Sequence, residues 1–303
     1  MLTEIASGLQ FPEGPIALDD GSIVLVEIQR GTLSRVTPGG AVEVVAELGG
    51  GPNGAAIGPD GAVYVCNNGG FSWGEVAGAP YPLGRAQDYR GGSIQRVDLA
   101  SGAFSTLYTH CEGVPLNGPN DIVFDRQGGF WFTDLGQRYG RQQDRGAVYY
   151  ALPDGSAIRE ALFPVDTPNG IGLSPDEHTL YVADTGGGRL WSYPIAAPGV
   201  LALDGGHAPG TCLASPEGLQ HFDSMAVDSE GNLCVATILN GGINWFAPDG
   251  RLLDHFPTGD IATTNICFGG EALRTAYITL SGLGRLASMA WPVPGLPLNF
   301  LNK

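Results

Sequence analysis

The sequence is poor in basic residues and almost free of lysine. Its 15 basic residues include one Lys, Lys303, and they stand against 31 acidic residues, so that the formal net charge is −16 at pH 7. A Schiff-base lysine inside the fold is therefore excluded. A chain this acidic is a poor partner for nucleic-acid backbones and for anionic membrane surfaces, so we expect neither as a partner.

Paired cysteines and long apolar runs are also missing. The five Cys form no C-x-x-C motif, and three of them, Cys66, Cys234 and Cys267, lie in apolar strand-like runs, which predicts buried free thiols. The first residues, MLTEIASGLQFPEGP, have neither the basic nor the apolar region of a signal peptide. No run approaches the about 18 apolar residues of a membrane helix. We therefore expect a soluble, cytoplasmic protein.

Glycine, in contrast, is abundant, and it is scattered between short apolar runs. The chain has 48 Gly and 22 Pro, without a collagen period, and no convincing amphipathic helical pattern. Many short strands joined by tight turns are typical of this composition. The composition favours an all-β fold.

The strand-like runs belong to a repeat with six copies. Each copy has a polar residue, then an apolar run, a turn and a second alternating apolar run. The polar residues, here called the anchors, are Glu13, Asn53, Asn120, Asn169, Asp223 and Asn265. Their spacings are 40, 67, 49, 54 and 42 residues, and periods of this size with strand–turn–strand content are typical of propeller blades. We predict a six-bladed β-propeller that spans residues 1–303 as one domain.

The anchors are predicted to form a ring at one mouth of the central channel. The first strand of each propeller blade lines that channel, so six anchors at one register would face a common centre. Asn or Asp before a strand is often only a turn residue that bonds its own backbone. That alternative does not explain Glu13, which is a poor turn residue. A further set, Glu27, Asn67, Asp134 and Asp184, follows 14 or 15 residues after four anchors and could support them.

Such a ring would gather hard oxygen donors. Carboxylates brought close together are unstable unless a cation lies between them, and carboxylate and amide oxygens suit Ca²⁺, Mg²⁺ or Mn²⁺. No anchor is His or Cys, which disfavours zinc. A hard divalent ion can polarise a carbonyl or phosphoryl oxygen and activate water, so the pattern fits hydrolysis of a strained or activated ester. It supplies no redox centre.

A serine-hydrolase motif competes with this interpretation. The sequence GFSWG, residues 70–74, matches G-x-S-x-G, but a nucleophile elbow requires a helix after the serine. Here Gly- and Pro-rich sequence follows, so we do not expect Ser72 to be a nucleophile. We interpret residues 71–92 as a long loop with several aromatic residues that walls or covers a substrate pocket, with Trp73 as a substrate contact.

Four of the repeat copies resemble the gluconolactonase, senescence-marker protein and luciferin-regenerating enzyme family of six-bladed propellers. The motifs are FPEGPIALDDG, LNGPNDIVFDRQGGFWFTD, TPNGIGLSPDEHTLYVAD and FDSMAVDSEGNLCVA, and with the weaker copies the resemblance covers essentially the whole chain. Diisopropylfluorophosphatase-like phosphotriesterases are more distantly similar. The resemblance implies that Glu13, Asn169 and Asp223 are metal ligands. It also implies that Asn120 approaches the metal or the substrate and that Asp223 takes part in proton transfer.

One position departs from the animal branch of the family. That branch has an Arg two residues before the Asn of the P-N-D motif, and this chain has Gly118 there. The aldonolactone specificity of the animal branch is therefore not carried over.

The sequence predicts a metal-dependent lactone hydrolase. We expect one divalent cation, Ca²⁺ with Mg²⁺ or Mn²⁺ as alternatives, on Glu13, Asn120, Asn169 and Asp223, with Asp223 catalytic. We expect a small lactone to contact Asn120, Asn53 and Trp73. A phosphotriesterase or other esterase on the same site remains an alternative, as does a non-catalytic calcium-binding or protein-docking propeller, because fold alone does not fix function.

Overall fold

Six antiparallel β-sheets form the blades of the propeller. The computed structural model describes residues 1–76 and 78–303. Strands are numbered here in chain order, and β1 is Thr3–Ser7. Blades one to three contain, from the inner strand outwards, β2 Pro12–Ala17, β3 Ile23–Glu27, β4 Thr32–Val36 and β5 Val42–Glu47; β6 Pro52–Ile57, β7 Val63–Asn67, β10 Ser93–Val97 and β11 Phe104–Tyr108; and β14 Pro119–Phe124, β15 Phe130–Asp134, β18 Gly146–Ala151 and β19 Ile158–Val165.

The second half of the chain builds the other three blades in the same way. They contain β20 Pro168–Leu173, β21 Thr179–Asp184, β22 Arg189–Ala197 and β24 Thr211–Ala214, with β23 Val200–Leu201 also on β22; β25 His221–Val227, β26 Leu233–Ile238, β27 Gly242–Phe246 and β28 Leu252–Pro257; and β29 Thr263–Gly269, β30 Thr275–Leu280 and β31 Arg285–Ala290. A short 3₁₀ helix, Glu271–Leu273, joins β29 to β30. The predicted six-bladed propeller is therefore confirmed.

Closure of the ring uses the beginning of the chain. The inner strands β2, β6, β14, β20, β25 and β29 contact one another in this order, and β29 contacts β2 again. The strand β1 pairs with β31 and supplies the fourth strand of blade six. This pairing leaves blade six without an open outer edge at β31.

The hydrophobic core is divided among the interfaces between blades. Six clusters of buried apolar side chains each join two neighbouring sheets, so that every blade packs on both sides. Three of the free cysteines, Cys66, Cys234 and Cys267, lie in these clusters, as predicted. The inner strands β2, β14 and β20 are buried along almost their whole length.

Three short hairpins project from the blades. They are β8 Phe71–Val76 with β9 Ala79–Arg85, β12 His110–Cys111 with β13 Val114–Pro115, and β16 Arg138–Tyr139 with β17 Gln142–Gln143. The interpretation of residues 71–92 as a loop was wrong for β8 and β9, which pair as antiparallel strands; Ala77 lies outside the described residues. Within residues 1–76 and 78–303, no helix has the length and apolar character needed to cross a membrane.

Candidate functional site

The six anchors occupy one register of the inner strands. Each is the second or third residue of its strand, and each is at most 7% exposed. They are Glu13, Asn53, Asn120, Asn169, Asp223 and Asn265. Because the six inner strands surround the axis, this common register places the anchors at the same level of the ring.

A β-bulge lies at the anchor in every blade. The pairing of each inner strand with the next strand shifts register between Glu13 and Ile16 in blade one, between Pro119 and Ile122 in blade three, and at the corresponding place in the other four. A bulge inserts an extra residue and re-aims a side chain. The residue after the anchor is Gly in blades one, two and four, and a side chain at Gly54 or Gly170 would collide with the backbone of the next inner strand.

Glu13 is held from two sides. Asn265 Nδ2 donates to Glu13 Oε2 at 2.7 Å, and the backbone N–H of Gly14 donates to the same oxygen at 2.7 Å. The backbone N–H of Ile266 donates to Asn265 Oδ1 at 2.7 Å. The side chain of Asn265 therefore positions Glu13.

On the other side of the ring, Asn169 and Asp223 are linked through Ser224. Ser224 Oγ donates to Asn169 Oδ1 at 3.5 Å, and the backbone N–H of Ser224 donates to Asp223 Oδ1 at 3.1 Å. The Oδ1 atom of Asn120 is buried and has no hydrogen-bond partner within residues 1–76 and 78–303. An unpartnered buried acceptor is costly, which indicates a site for a ligand or an ion at Asn120.

The carboxyl groups of the ring have raised pKa values, chiefly because they are buried. Burial raises the pKa of Glu13 to about 7, although hydrogen bonds from Asn265 and Gly14 oppose the increase. Burial, and then the negative charge of Glu13, raise the pKa of Asp223 well above its ordinary value. Because charges act on each other strongly only at short range, the shift indicates that the two groups share one electrostatic environment.

A third carboxyl group, Asp121, lies in the same environment and was not predicted from the sequence. It is 7% exposed, and burial and the charge of Glu13 raise its pKa to about 7. Its Oδ2 accepts a hydrogen bond from the backbone N–H of Ile171 in the next blade at 3.2 Å. The signal was present in the repeat, since Asp121 stands where three other copies have Gly.

The residues that follow four of the anchors by 14 or 15 positions hold the backbone just before those anchors. Glu27 accepts from the backbone N–H of Gln10, Asn67 from that of Gly51, Asp134 from those of Asn117 and Gly118, and Asp184 from the hydroxyl of Thr167. Each contact lies two or three residues before the anchor of the same blade. These side chains therefore support the ring without entering it.

The donor set suits a hard cation. Among the described residues, no group of three or more His, Cys, Asp or Glu side chains is arranged to hold a metal, so a site in this ring needs amide oxygens as well. The ring supplies them through Asn120 and Asn169 beside Glu13 and Asp223. A cation between these groups would give the unpartnered Oδ1 of Asn120 a partner and would favour the ionised forms of Glu13 and Asp223, which burial disfavours, so the residues fit Ca²⁺ or Mg²⁺.

The hairpin β8–β9 lies over the ring. The Trp73 ring packs on Phe11, two residues before Glu13, with a centroid distance of 5.0 Å. Burial, and then the charge of Asp223, raise the pKa of Tyr81. Ser72 Oγ donates to the carbonyl of Arg85 at 3.0 Å within the hairpin, and β9, a strand, follows where a nucleophile elbow would need a helix.

Polar atoms beside the hairpin remain available. Asn53 makes no side-chain hydrogen bond in the described part of the chain. Gln137 Nε2 donates to the carbonyl of Asn68 at 2.7 Å, and this leaves Gln137 Oε1 and Asn68 Nδ2 buried and unpartnered among these residues. Neither Asn68 nor Gln137 stood out in the sequence, because each follows a strand as an ordinary polar residue.

Comparison with known proteins gives one family. The model of the SMP-30/gluconolactonase/LRE-like region matches residues 11–282. A gluconolactonase of Zymomonas mobilis is 28% identical over 91% of this chain and 78% of its own length. A drp35 lactonase of Staphylococcus saprophyticus is 31% identical over 81% of this chain and 70% of its own length.

A solved structure agrees with the fold. The calcium-binding protein regucalcin from Agrobacterium tumefaciens superposes with a TM-score of 0.78, at 18% identity, over 100% of this chain and 98% of its own. At this level of identity, the structural similarity supports the propeller fold and not a function. The family match spans all six anchors, from Glu13 to Asn265. The chain therefore belongs to the SMP-30/gluconolactonase/LRE-like family.

Proposed function

We propose that this chain is a divalent-metal-dependent hydrolase that opens the ring of a lactone. The observation that carries the proposal is the buried ring in which burial raises the pKa of Glu13 and of Asp223, the charge of Glu13 raises that of Asp223 further, and Asn120 Oδ1 has no partner among the described residues. Relatives called gluconolactonase and lactonase, aligned over most of their lengths, support a lactone as the substrate class.

Four anchors would hold one cation, Ca²⁺ or alternatively Mg²⁺ or Mn²⁺. They are Glu13, Asn120, Asn169 and Asp223. When bound, such an ion polarises a carbonyl oxygen and lowers the pKa of water. The amide ligands supply oxygen without a further negative charge, which limits repulsion inside the ring.

Asp223 acts as the general base in this proposal. Its carboxylate takes a proton from the water that attacks the lactone carbonyl, and the proton then passes to the ring oxygen as the acyl–oxygen bond breaks. The product is the open hydroxy acid. Asp223 must be ionised to do this, and a cation beside it favours the ionised form, in opposition to the effect of burial.

Three residues would orient the substrate. Asn120 holds the carbonyl or a ring substituent, and Asn53 offers a second free amide. Trp73, which is only half-buried, presents an apolar face to the sugar or lactone ring. The hairpin β8–β9 that carries Trp73 covers the ring and excludes water from it.

A lactone panel tests this function. Acid release from sugar, aliphatic and aromatic lactones is followed with a pH indicator, before chelation, after chelation and after return of Ca²⁺, Mg²⁺ or Mn²⁺. We expect hydrolysis that chelation abolishes and a divalent ion restores. An enzyme that opens none of the lactones, or that is fully active when elemental analysis shows it to be metal-free, contradicts the proposal.

A further inference from the structure

The basic residues of this acidic protein are concentrated beside the mouth of the ring. Residues 71–92 and 135–146, which contain the hairpins β8–β9 and β16–β17, carry five Arg and three acidic residues, whereas the chain as a whole has 15 basic against 31 acidic residues. The five are Arg85, Arg90, Arg138, Arg141 and Arg145. These two segments therefore have a net positive charge, although the chain as a whole is negative.

The two hairpins are joined to each other above the ring. Arg138 Nη2 donates to the carbonyl of Leu83 at 2.9 Å. The guanidinium of Arg85 lies 4.2 Å from the ring centroid of Tyr139 and 5.1 Å from that of Tyr89. Stacking on two aromatic faces fixes the plane of the Arg85 guanidinium and leaves its N–H edge free to bind an anion.

Tyr89, whose ring lies against one of these cations, connects them to the ring of anchors. Its hydroxyl donates to the carbonyl of Asn117, three residues before Asn120, at 2.7 Å. Ala79, at the start of β9, also reaches blade six, where a methyl added at Gly282 would lie 3.2 Å from the Ala79 Cβ. The arginines thus lie at the edge of the space that contains the anchors and that the hairpin β8–β9 covers.

Arg85 and Arg138 have no carboxylate partner among residues 1–76 and 78–303. In the other described parts of the chain, some exposed arginines form ion pairs, as Arg126 does with Glu177, and others, such as Arg159, do not. On these hairpins Arg145 pairs with Asp166, whereas the Asp144 carboxylate accepts instead from the Tyr139 hydroxyl and the backbone N–H of Gln137. Both guanidinium groups are exposed and remain able to bind an external carboxylate.

We propose that the substrate is a lactone that carries a free carboxylate, and that Arg85 and Arg138 bind this carboxylate while the lactone carbonyl lies at the anchors. The inference rests on the proposed lactonase function and narrows it. A guanidinium binds a carboxylate through two parallel N–H···O bonds, so it favours a planar anion. In the substrate, this anion would lie at the end that is far from the reacting lactone carbonyl. The lactone of a dicarboxylic sugar acid has this arrangement.

A matched pair of substrates tests the proposal. The 1,4-lactones of galactaric acid and galactonic acid share a ring and differ only in a carboxylate in place of a hydroxymethyl group. We expect the wild-type protein to hydrolyse the carboxylated lactone with a kcat/KM about tenfold or more above that of the neutral one, which is the effect of one charge-assisted contact.

The variants Arg138→Gln and Arg85→Gln show whether the two arginines recognise the substrate carboxylate or only hold the hairpins together. Each should lower kcat/KM for the carboxylated lactone about tenfold, mainly through KM, with little change for the neutral lactone, and Arg138→Lys should retain part of the preference. Arg159→Gln on the outer strand β19 removes the same charge from an exposed position of blade three and should change neither substrate.

Two results would overturn the proposal in different ways. If the wild-type protein opens the neutral lactone as well as the carboxylated one, or if Arg85→Gln and Arg138→Gln slow both equally, the arginines only tie the hairpins together and the lactonase function stands. If the wild-type protein opens neither lactone nor any other of the panel, the lactonase function fails and this inference fails with it.

Discussion

Asp223 and Ser72 distinguish a water-based hydrolysis from a serine hydrolase. In our account Asp223 accepts the proton of the attacking water, while Ser72 only donates a hydrogen bond within its hairpin. We predict that Asp223→Asn lowers the turnover of a good lactone substrate about 100-fold or more, the usual size of a general-base contribution. Ser72→Ala should keep most of its turnover. The opposite ranking in the pH-indicator assay would identify a serine nucleophile.

The buried carboxyl groups also make a prediction about stability. In the metal-free protein the pKa of Glu13 is raised from 4.5 to about 7, and those of Asp121 and Asp223 are raised as well. A group with a raised folded-state pKa stabilises the fold fully below its ordinary pKa, and this contribution is lost as the pH rises through the folded value. We therefore expect the Tm of metal-free protein to fall between pH 5 and pH 8.

The control for this effect is the metal-loaded protein. A saturating divalent ion keeps the carboxylates ionised at both pH values and should raise the Tm most at pH 8. Glu13→Gln should flatten the metal-free profile in part, because one titrating group is removed. A metal-free Tm that rises from pH 5 to pH 8 would show that these groups are ionised without a cation.

At the scale of the element, Asp134 connects strand β15 to the anchor of blade three. Its carboxylate accepts from the backbone N–H groups of Asn117 at 2.7 Å and Gly118 at 2.6 Å, which fixes the chain just before Asn120. We predict that Asp134→Ala weakens divalent-ion affinity about 10- to 100-fold, the usual effect of a support one step from the ligands. Isothermal titration calorimetry measures the change.

Asp98 offers a matched control. Its exposed carboxylate also accepts several hydrogen bonds, from Ala100 and Ser101, but in a turn at the outside of blade two. Asp98→Ala should leave ion affinity unchanged. Equal losses in both variants would mean that Asp134 contributes general stability and does not position Asn120.

The anchors were predictable from the sequence, whereas their local geometry was not. Six copies at one register specified Glu13, Asp223 and the Asn residues, since a repeat reports a common structural position. The bulges that change the direction of these side chains leave no distinct pattern in the sequence, so the position of Asp121 near the charge of Glu13 was not predictable.

The hairpin β8–β9 was missed for a different reason. Its Pro and Gly content, as in APYPLGR, argues against a central strand, but an isolated two-stranded hairpin tolerates both residues at its edges. The use of Asn265 to hold Glu13 was also hidden, because 252 residues separate them in the chain. Contacts between blades that are far apart in the sequence, such as blades one and six, form because the ring closes. The repeat implies this closure but does not show which residues then meet.

At the scale of the molecule, the ring is closed by β1. This strand pairs with β31, with Thr3 opposite Ser288 and Ser7 opposite Arg285, and joins the first residues of the chain to its last blade. We predict that removal of residues 1–7 lowers the Tm and promotes association, because β31 becomes an open edge strand. Thermal unfolding and light scattering measure both effects. An unchanged Tm in a monodisperse sample would show that β1 does not hold the ring together.

The central claim is that one cation joins blades one, three, four and five. A crystal structure of the protein with Mn²⁺ or Ca²⁺, with the ion located by its anomalous scattering, tests this claim most directly. The account predicts one ion bonded to oxygens of Glu13, Asn169 and Asp223, with Asn120 in or next to its coordination shell and Ca²⁺ distances of about 2.3–2.6 Å. An ion bound elsewhere, or Glu13 and Asp223 carboxylates more than about 8 Å apart and so unable to share one ion at such bond lengths, would contradict it.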